Sequence, residues 1–138
     1  MSSLVVDASA VVDALTGEAD DVRELNLLLS SVPWISAPFL IDYELHAVLR
    51  KMALRGSLEA ESVADVLELY RSLRLSHHAV TPEMSRRIWD LRHSLSAYDA
   101  AYVALAEVLD VPLVTHDLRL AKAAQALGTV EVETPDLN

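Results

Sequence analysis

Between Tyr98 and Leu109 the chain reads YDAAYVALAEVL, and only Asp99 and Glu107 carry charge. A helix so nearly apolar all round is at home only when other elements cover it on most sides. The chain must therefore build a layered fold with this helix inside it. Asp99 then becomes a problem, because moving a carboxylate from water into tight packing is costly unless a partner or a metal compensates.

The remaining segments supply such layers. Leu4-Val5-Val6 is a short apolar strand ending at Asp7, followed by a helix from about Ser9 and a second through VRELNLLLS. Trp34 to Ala37 reads as a strand, with Pro38 suited to the first turn of the next helix. That helix aligns Ile41, Leu45, Val48, Leu49 and Met52 on one face. Gly56 then Ser57 read as a helix stop and a new N-cap, and Val63, Val66, Leu67 and Tyr70 form the next apolar stripe. HHAV is a strand, and Thr81-Pro82 opens another helix with cap and N1 proline in order. After the helix from Ser96 to about Leu109 come the strand PLVT, the helix DLRLAKAAQAL closed by Gly128, and the strand VEVE. Strands separated by helices predict an α/β fold with a mainly parallel central sheet and helices on both faces. Right-handed crossovers put the carboxyl ends of the strands along one edge, where open α/β sheets bind ligands.

At 138 residues, with no repeat, low-complexity tract or linker, the chain suits a single domain over residues 1–138. The start, MSSLVVD, has no basic region leading into a long apolar one, so no signal peptide is expected. No apolar run approaches a membrane span, so no membrane association is expected. The absence of cysteine fits a reducing cytoplasm. Acidic residues number 21 against 11 basic ones, a net charge of −10. That sign argues against a broad basic surface for gripping nucleic acid. A polyanionic substrate would need a local cationic patch or a bound metal.

Asp7 and Asp117 each follow an apolar strand and precede a helix, so each suits an N-cap. Ser96-Ala97-Tyr98-Asp99 has the form of a capping box. Capping leaves carboxylate lone pairs free for metal. Glu44 lies too far from Pro38 to cap its helix. On a helical wheel it falls about 60° from Ile41, at the shoulder of the apolar face, and Asp42 flanks the opposite shoulder about equally. Periodicity does not choose between them. Asp7 and Asp117 both reach the ligand edge of the sheet; if the N-terminus of the apolar helix abuts that edge, Asp99 joins them. Clustered carboxylates repel and some take up protons unless a cation intervenes. An oxygen-only cluster favours Mg²⁺ or Mn²⁺ over zinc.

Taken together, VVDAS, YELHAVLRK and SAYDAAYVALAEVLDVPLVTHDLRLA resemble the PIN-domain ribonucleases, particularly the VapC-like toxins of bacterial toxin–antitoxin pairs. The likeness spans essentially the whole chain, with strand-D-x-S, mid-helix Glu, YDAxYVALA and T-x-D in the family's order. It implies a PIN-like three-layer α/β/α sandwich and a metal-dependent endoribonuclease. It selects Glu44 over Asp42, makes Asp7 and Asp99 the metal ligands, and completes an acidic catalytic quartet with Glu44 and Asp117. Ser9 and Thr115 match the family's small hydroxyl positions, which would orient carboxylates or waters. An RNA substrate, Mg²⁺ (or Mn²⁺), a small cognate antitoxin, a homodimer and a cytoplasmic location follow as implications.

Several residues fit the resemblance loosely. His116, between Thr115 and Asp117, suits proton transfer near neutral pH, though a solvated side chain is the simpler expectation. Arg119 suits a phosphate contact or a plain helix-surface role. Arg50-Lys51 and Arg86-Arg87 are the candidate basic patches. The three glycines are too scattered for a phosphate loop or dinucleotide fingerprint, and there is no G-x-S-x-G elbow or H-E-x-x-H zinc motif. Two other classes remain as alternatives: a non-catalytic PIN-like module binding RNA or protein, and a receiver-like signalling domain using Asp7 as phosphoacceptor.

Overall fold

The computed structural model describes residues 2–137. Among these, five parallel strands form one sheet: β1 (Val5–Val6), β2 (Ile35–Pro38), β3 (Leu75–His78), β4 (Leu113–Val114) and β5 (Val132–Glu133), in the order β3-β2-β1-β4-β5. The helices are α1 (Ala8–Thr16), α2 (Arg23–Ser30), α3 (Ile41–Leu54), α4 (Val63–Ser72), α5 (Pro82–Asp90), α6 (Ala97–Leu109) and α7 (Leu118–Leu127). The result is a three-layer α/β/α sandwich, as the alternation of strands and helices predicts.

β1 is central. Val5 pairs with Ser36 on one side and Leu113 on the other, and Val6 pairs with Val114. Leu4, Val5, Val6, Leu113 and Val114 are fully buried, which explains why these strands read as continuous apolar runs. α1 packs against α3 and α4, while α6 lies across β1, β2 and β4 with α5 beside it. Every residue of α6 from Ala100 to Ala106 is buried. Four of those seven are alanines, short enough to let the helix sit close to the sheet.

Some boundaries differ from the sequence reading. Pro38 ends β2 opposite His78 and does not open the helix. Having no N–H, it leaves Phe39 to donate the next bond, to His78 O at 3.3 Å. α3 consequently begins at Ile41, and Glu44 stands in its first turn. β3 runs from Leu75 to His78, because pairing with Ile35–Pro38 stops where β2 stops. Gly56 does take the left-handed conformation that ends a helix, with φ +76°. Ser57 closes α3, its hydroxyl donating to Met52 O, and a 3-10 turn at Ala60–Ser62 leads into α4. Thr81 caps α5 as predicted, accepting from Met84 N at 3.1 Å.

Candidate active site

From β1 the chain steps outward to β2 and β3, then crosses back to β4 and β5. The sheet order therefore reverses between β1 and β4, and the crevice at such a switch point is where doubly wound sheets hold ligands. Asp7 leaves β1 and Asp117 follows β4 at this point. A cleft of about 380 Å³ opens there, lined by Asp7, Glu44, Asp99 and Asp117 together with Ser9 and Tyr102. The order also differs from the 2-1-3-4-5 of receiver-type sheets, which removes the receiver-like alternative.

Asp7 is the most enclosed of the four, 6% exposed. It caps α1 and is clamped from three directions. Its Oδ1 accepts from Ser9 Oγ at 2.7 Å and Ala10 N at 3.1 Å, and its Oδ2 accepts from Thr115 Oγ1 at 2.6 Å. Burial nonetheless raises its pKa, outweighing those bonds, and the nearby Asp117 charge adds to the rise. Ser9 and Thr115 thus orient a carboxylate, the role their positions suggested. Ser9 Oγ also accepts from His116 N at 3.0 Å, tying the start of α1 to the loop after β4.

Glu44 faces the cleft from α3, and its Oε1 accepts from Tyr102 Oη at 2.6 Å. Burial raises its pKa against the effect of that bond, and the charges of Asp99 and Asp7 push the same way. Asp42 points elsewhere: its Oδ1 accepts from Tyr70 Oη at 2.6 Å and lies 3.0 Å from His77 Nε2. The choice that periodicity left open is settled by helix geometry, with the two acids on opposite flanks of α3. Tyr102 is the one cleft group the sequence reading missed. Its signal was present, since it follows Asp99 by three residues on a helix and so shares its face.

Asp99 answers the problem posed by α6. Ser96 caps the helix by accepting from Asp99 N at 3.1 Å. The Asp99 carboxylate is matched by Arg119, whose Nη2 donates to Asp99 Oδ2 at 2.9 Å and to Asp117 Oδ2 at 3.3 Å. The other α6 acid, Glu107, is gripped by Arg87 through two bonds of 2.7 and 2.9 Å. Each charge on this apolar helix therefore has a guanidinium at its side. Asp117 also caps α7, its Oδ1 accepting from Arg119 N and Leu120 N.

As the side chains stand, no three acidic or imidazole groups among the described residues enclose a single ion-sized point. The donors still suit a hard cation. They are all oxygens, two of the four resist ionisation without a counter-charge, and the other two already share one positive group. A site that draws a guanidinium between Asp99 and Asp117 is chemically prepared for a metal ion.

The loosely assigned residues divide clearly. His116 is neither solvated nor in the cleft: its side chain is 3% exposed, with Nδ1 2.6 Å from Asp13 Oδ2 and Nε2 2.6 Å from Pro135 O. It fastens the C-terminal segment to α1. Arg87 is committed to Glu107, so Arg86-Arg87 is not a free basic patch. Arg50 and Lys51 do line the acidic cleft.

A three-layer sandwich with carboxylates gathered at its switch point places the molecule among α/β proteins with an acidic ligand cleft. The chain belongs to the PIN domain family, whose profile matches residues 4–126. It is 41% identical over 124 residues to the curated Ribonuclease VapC1 of Mycobacterium tuberculosis, an alignment covering 89% of this chain and 92% of that protein. Its fold is shared with VapBC2 from Rickettsia felis, solved bound to a DNA fragment from the promoter, at TM-score 0.67 and 17% identity over 95% of this chain and 97% of the other. A toxin–antitoxin complex from Klebsiella pneumoniae matches at TM-score 0.62 and 18% identity over 96% and 97%.

Proposed function

We propose that this chain is the toxin of a toxin–antitoxin pair and an endoribonuclease that hydrolyses RNA phosphodiester bonds with the help of Mg²⁺ or Mn²⁺. One observation carries the reading: Asp7, Glu44, Asp99 and Asp117, from four separate parts of the chain, line one cleft at the switch point. Family membership and likeness to a curated ribonuclease support it. A non-catalytic module has no comparable use for four carboxylates in one cleft.

In this reading Asp7 and Asp99 hold the cation, and Glu44 and Asp117 complete the negative lining. When bound, a divalent ion supplies Lewis acidity that activates water and offsets charge on the phosphate. Ser9, Thr115 and the Ala10 amide hold the Asp7 carboxylate in one orientation at the cleft. Tyr102 does the same for Glu44. Arg119 is placed to contact phosphate once released from the carboxylates.

The reading extends to the whole molecule. Residues 1–138 act as one domain. A small cognate antitoxin and a second copy of the chain are its protein partners, and the cytoplasm is its location. Leu27, Trp34, Phe39, Tyr43, Trp89 and Tyr98 are each more than half exposed, which supports surfaces meant for protein contact. No helix among the described residues is long and apolar enough to cross a membrane.

The test is RNA cleavage by the purified chain in Mg²⁺, in Mn²⁺ and in EDTA, with Asp7→Asn and Asp99→Asn alongside. The parent should cut only with metal, Asp7→Asn should fold but not cut, and Asp99→Asn should lose metal-induced thermal stabilisation. If Asp7→Asn cuts RNA as fast as the parent, the assignment is wrong.

A further inference from the structure

We propose that Arg50 and Lys51 form a phosphate-binding track along α3 that seats the nucleic-acid backbone flanking the reacting phosphate. The proposal rests on the reading of the cleft as an RNA-cutting site. Both residues line that cleft with Glu44. Glu44, Ala47, Val48 and Lys51 follow the spacing i, i+3, i+4, i+7, so they form one stripe on the helix. Lys51 lies about 10 Å along the axis from Glu44, with the small side chain of Ala47 leaving the stripe low between them.

The state of these two cations is what distinguishes them. Both are exposed, and neither makes an ion pair or a side-chain hydrogen bond among the described residues. Arg119, the third cation of the cleft, is held by Asp99 and Asp117. A chain of net charge −10 with an acidic cleft repels a polyanion at long range. Substrate entry then requires positive charge beside the carboxylates but not neutralised by them. Arg50 and Lys51 meet that requirement, Lys51 about two turns along the Glu44 stripe and Arg50 beside it, both lining the cleft. Such contacts act on the backbone and carry no sequence information. The track therefore governs affinity and the direction in which the strand lies, not the choice of target.

The experiment uses the full chain carrying Asp7→Asn, which blocks cutting, and a fluorescein-labelled 15-nucleotide single-stranded RNA of random sequence. Binding is followed by anisotropy in Mg²⁺ across a KCl series. Each phosphate contact on a single strand contributes about 0.7 to the slope of log K against log salt. Adding Arg50→Gln and Lys51→Gln should reduce that slope by about 1.4 and weaken binding at 0.1 M salt on the order of tenfold. A DNA strand of the same length should lose slope equally, since the track reads phosphate. Arg86→Gln, a surface cation away from the cleft, should change neither quantity. An unchanged slope in the double variant, or no measurable binding by its Asp7→Asn parent, overturns the track. RNA cleavage by the unmutated chain is scored separately, so loss of the track and loss of the nuclease reading give different results.

Discussion

Arg119 Nη2 stands 2.9 Å from Asp99 Oδ2 and 3.3 Å from Asp117 Oδ2, so one side chain of the protein bridges two carboxylates of its own cleft. The Asp99 bond, reinforced by both acidic charges, raises the pKa of the guanidinium further. The bridge is largely open to water, since the Arg119 side chain is 69% exposed. It can therefore be displaced at little cost.

Arg119→Ala is expected to tighten Mn²⁺ binding several-fold, because the ion no longer competes with a tethered cation. Calorimetric titration of the metal-free chain measures this directly. Weaker or unchanged affinity would mean that the guanidinium and the ion do not compete.

Asp7→Asn is expected to abolish cleavage without lowering the melting temperature in EDTA. The buried carboxylate carries a raised pKa, so its ionised form is disfavoured by the fold at neutral pH. An amide removes that charge and keeps an oxygen to accept from Ala10 N and Ser9. A fall of many degrees would mean that the fold needs the second carboxylate oxygen, which accepts from Thr115 and which an amide lacks.

The raised pKa values of Asp7 and Glu44 also fix a sign for pH. A carboxylate raised in the folded state destabilises the fold as pH climbs from its unfolded value through its folded one. Mg²⁺ relieves that penalty only where the groups are ionised. The rise in melting temperature on adding Mg²⁺ should therefore be large at pH 7.5 and shrink as pH falls through the raised values. Comparing scans with and without Mg²⁺ at each pH cancels Asp42 and Glu107, whose lowered pKa values act in the opposite sense.

Tyr102→Phe deletes the bond to Glu44 and keeps the ring that packs α6. Cleavage should drop about tenfold, the low end of the roughly 10–100-fold loss for removing a partner that orients a carboxylate at a metal site. The acid limb of the pH–rate profile should also move to higher pH, because the Tyr102 bond lowers the Glu44 pKa. A purely structural tyrosine would leave that limb in place.

Asp136 accepts from Glu24 N at 3.1 Å and Leu25 N at 2.8 Å, capping α2, whose own N-cap Val22 makes no side-chain bond. Asp136→Ala should cost about 1 kcal/mol in denaturant unfolding, with the catalytic rate unchanged.

Much of the architecture was legible in the sequence. The apolar runs at Val5-Val6 and Leu113-Val114 mark the two buried central strands, and the nearly uncharged segment after Tyr98 marks the helix that covers them. Capping chemistry located the starts of α5, α6 and α7. Boundaries failed where pairing across the sheet decides them, as at Pro38 and the HHAV segment, because one strand's length depends on its neighbour's. Asp7, Asp99 and Asp117 were found through their capping contexts, but which of Asp42 and Glu44 faces the cleft depends on how α3 packs, which periodicity does not show; Glu44, the one the family resemblance selects, lines it. Tyr102 and the Arg119 bridge join groups 58 and 20 residues apart, distances over which local spacing says nothing. His116 was read as solvated because its partners, Asp13 and Pro135, come from far along the chain.

The pairing of Val5 and Val6 with Leu113 and Val114 has a consequence for the timing of synthesis. The middle strand of the sheet cannot be flanked on both sides until Leu113 and Val114 have left the ribosome, and the hydroxyl of Thr115 and the carboxylate of Asp117 arrive in the same stretch. A nascent chain therefore carries Asp7 with no finished pocket around it. The cleft is completed only by the segment that carries Thr115 and Asp117, well after Asp7 itself has been made.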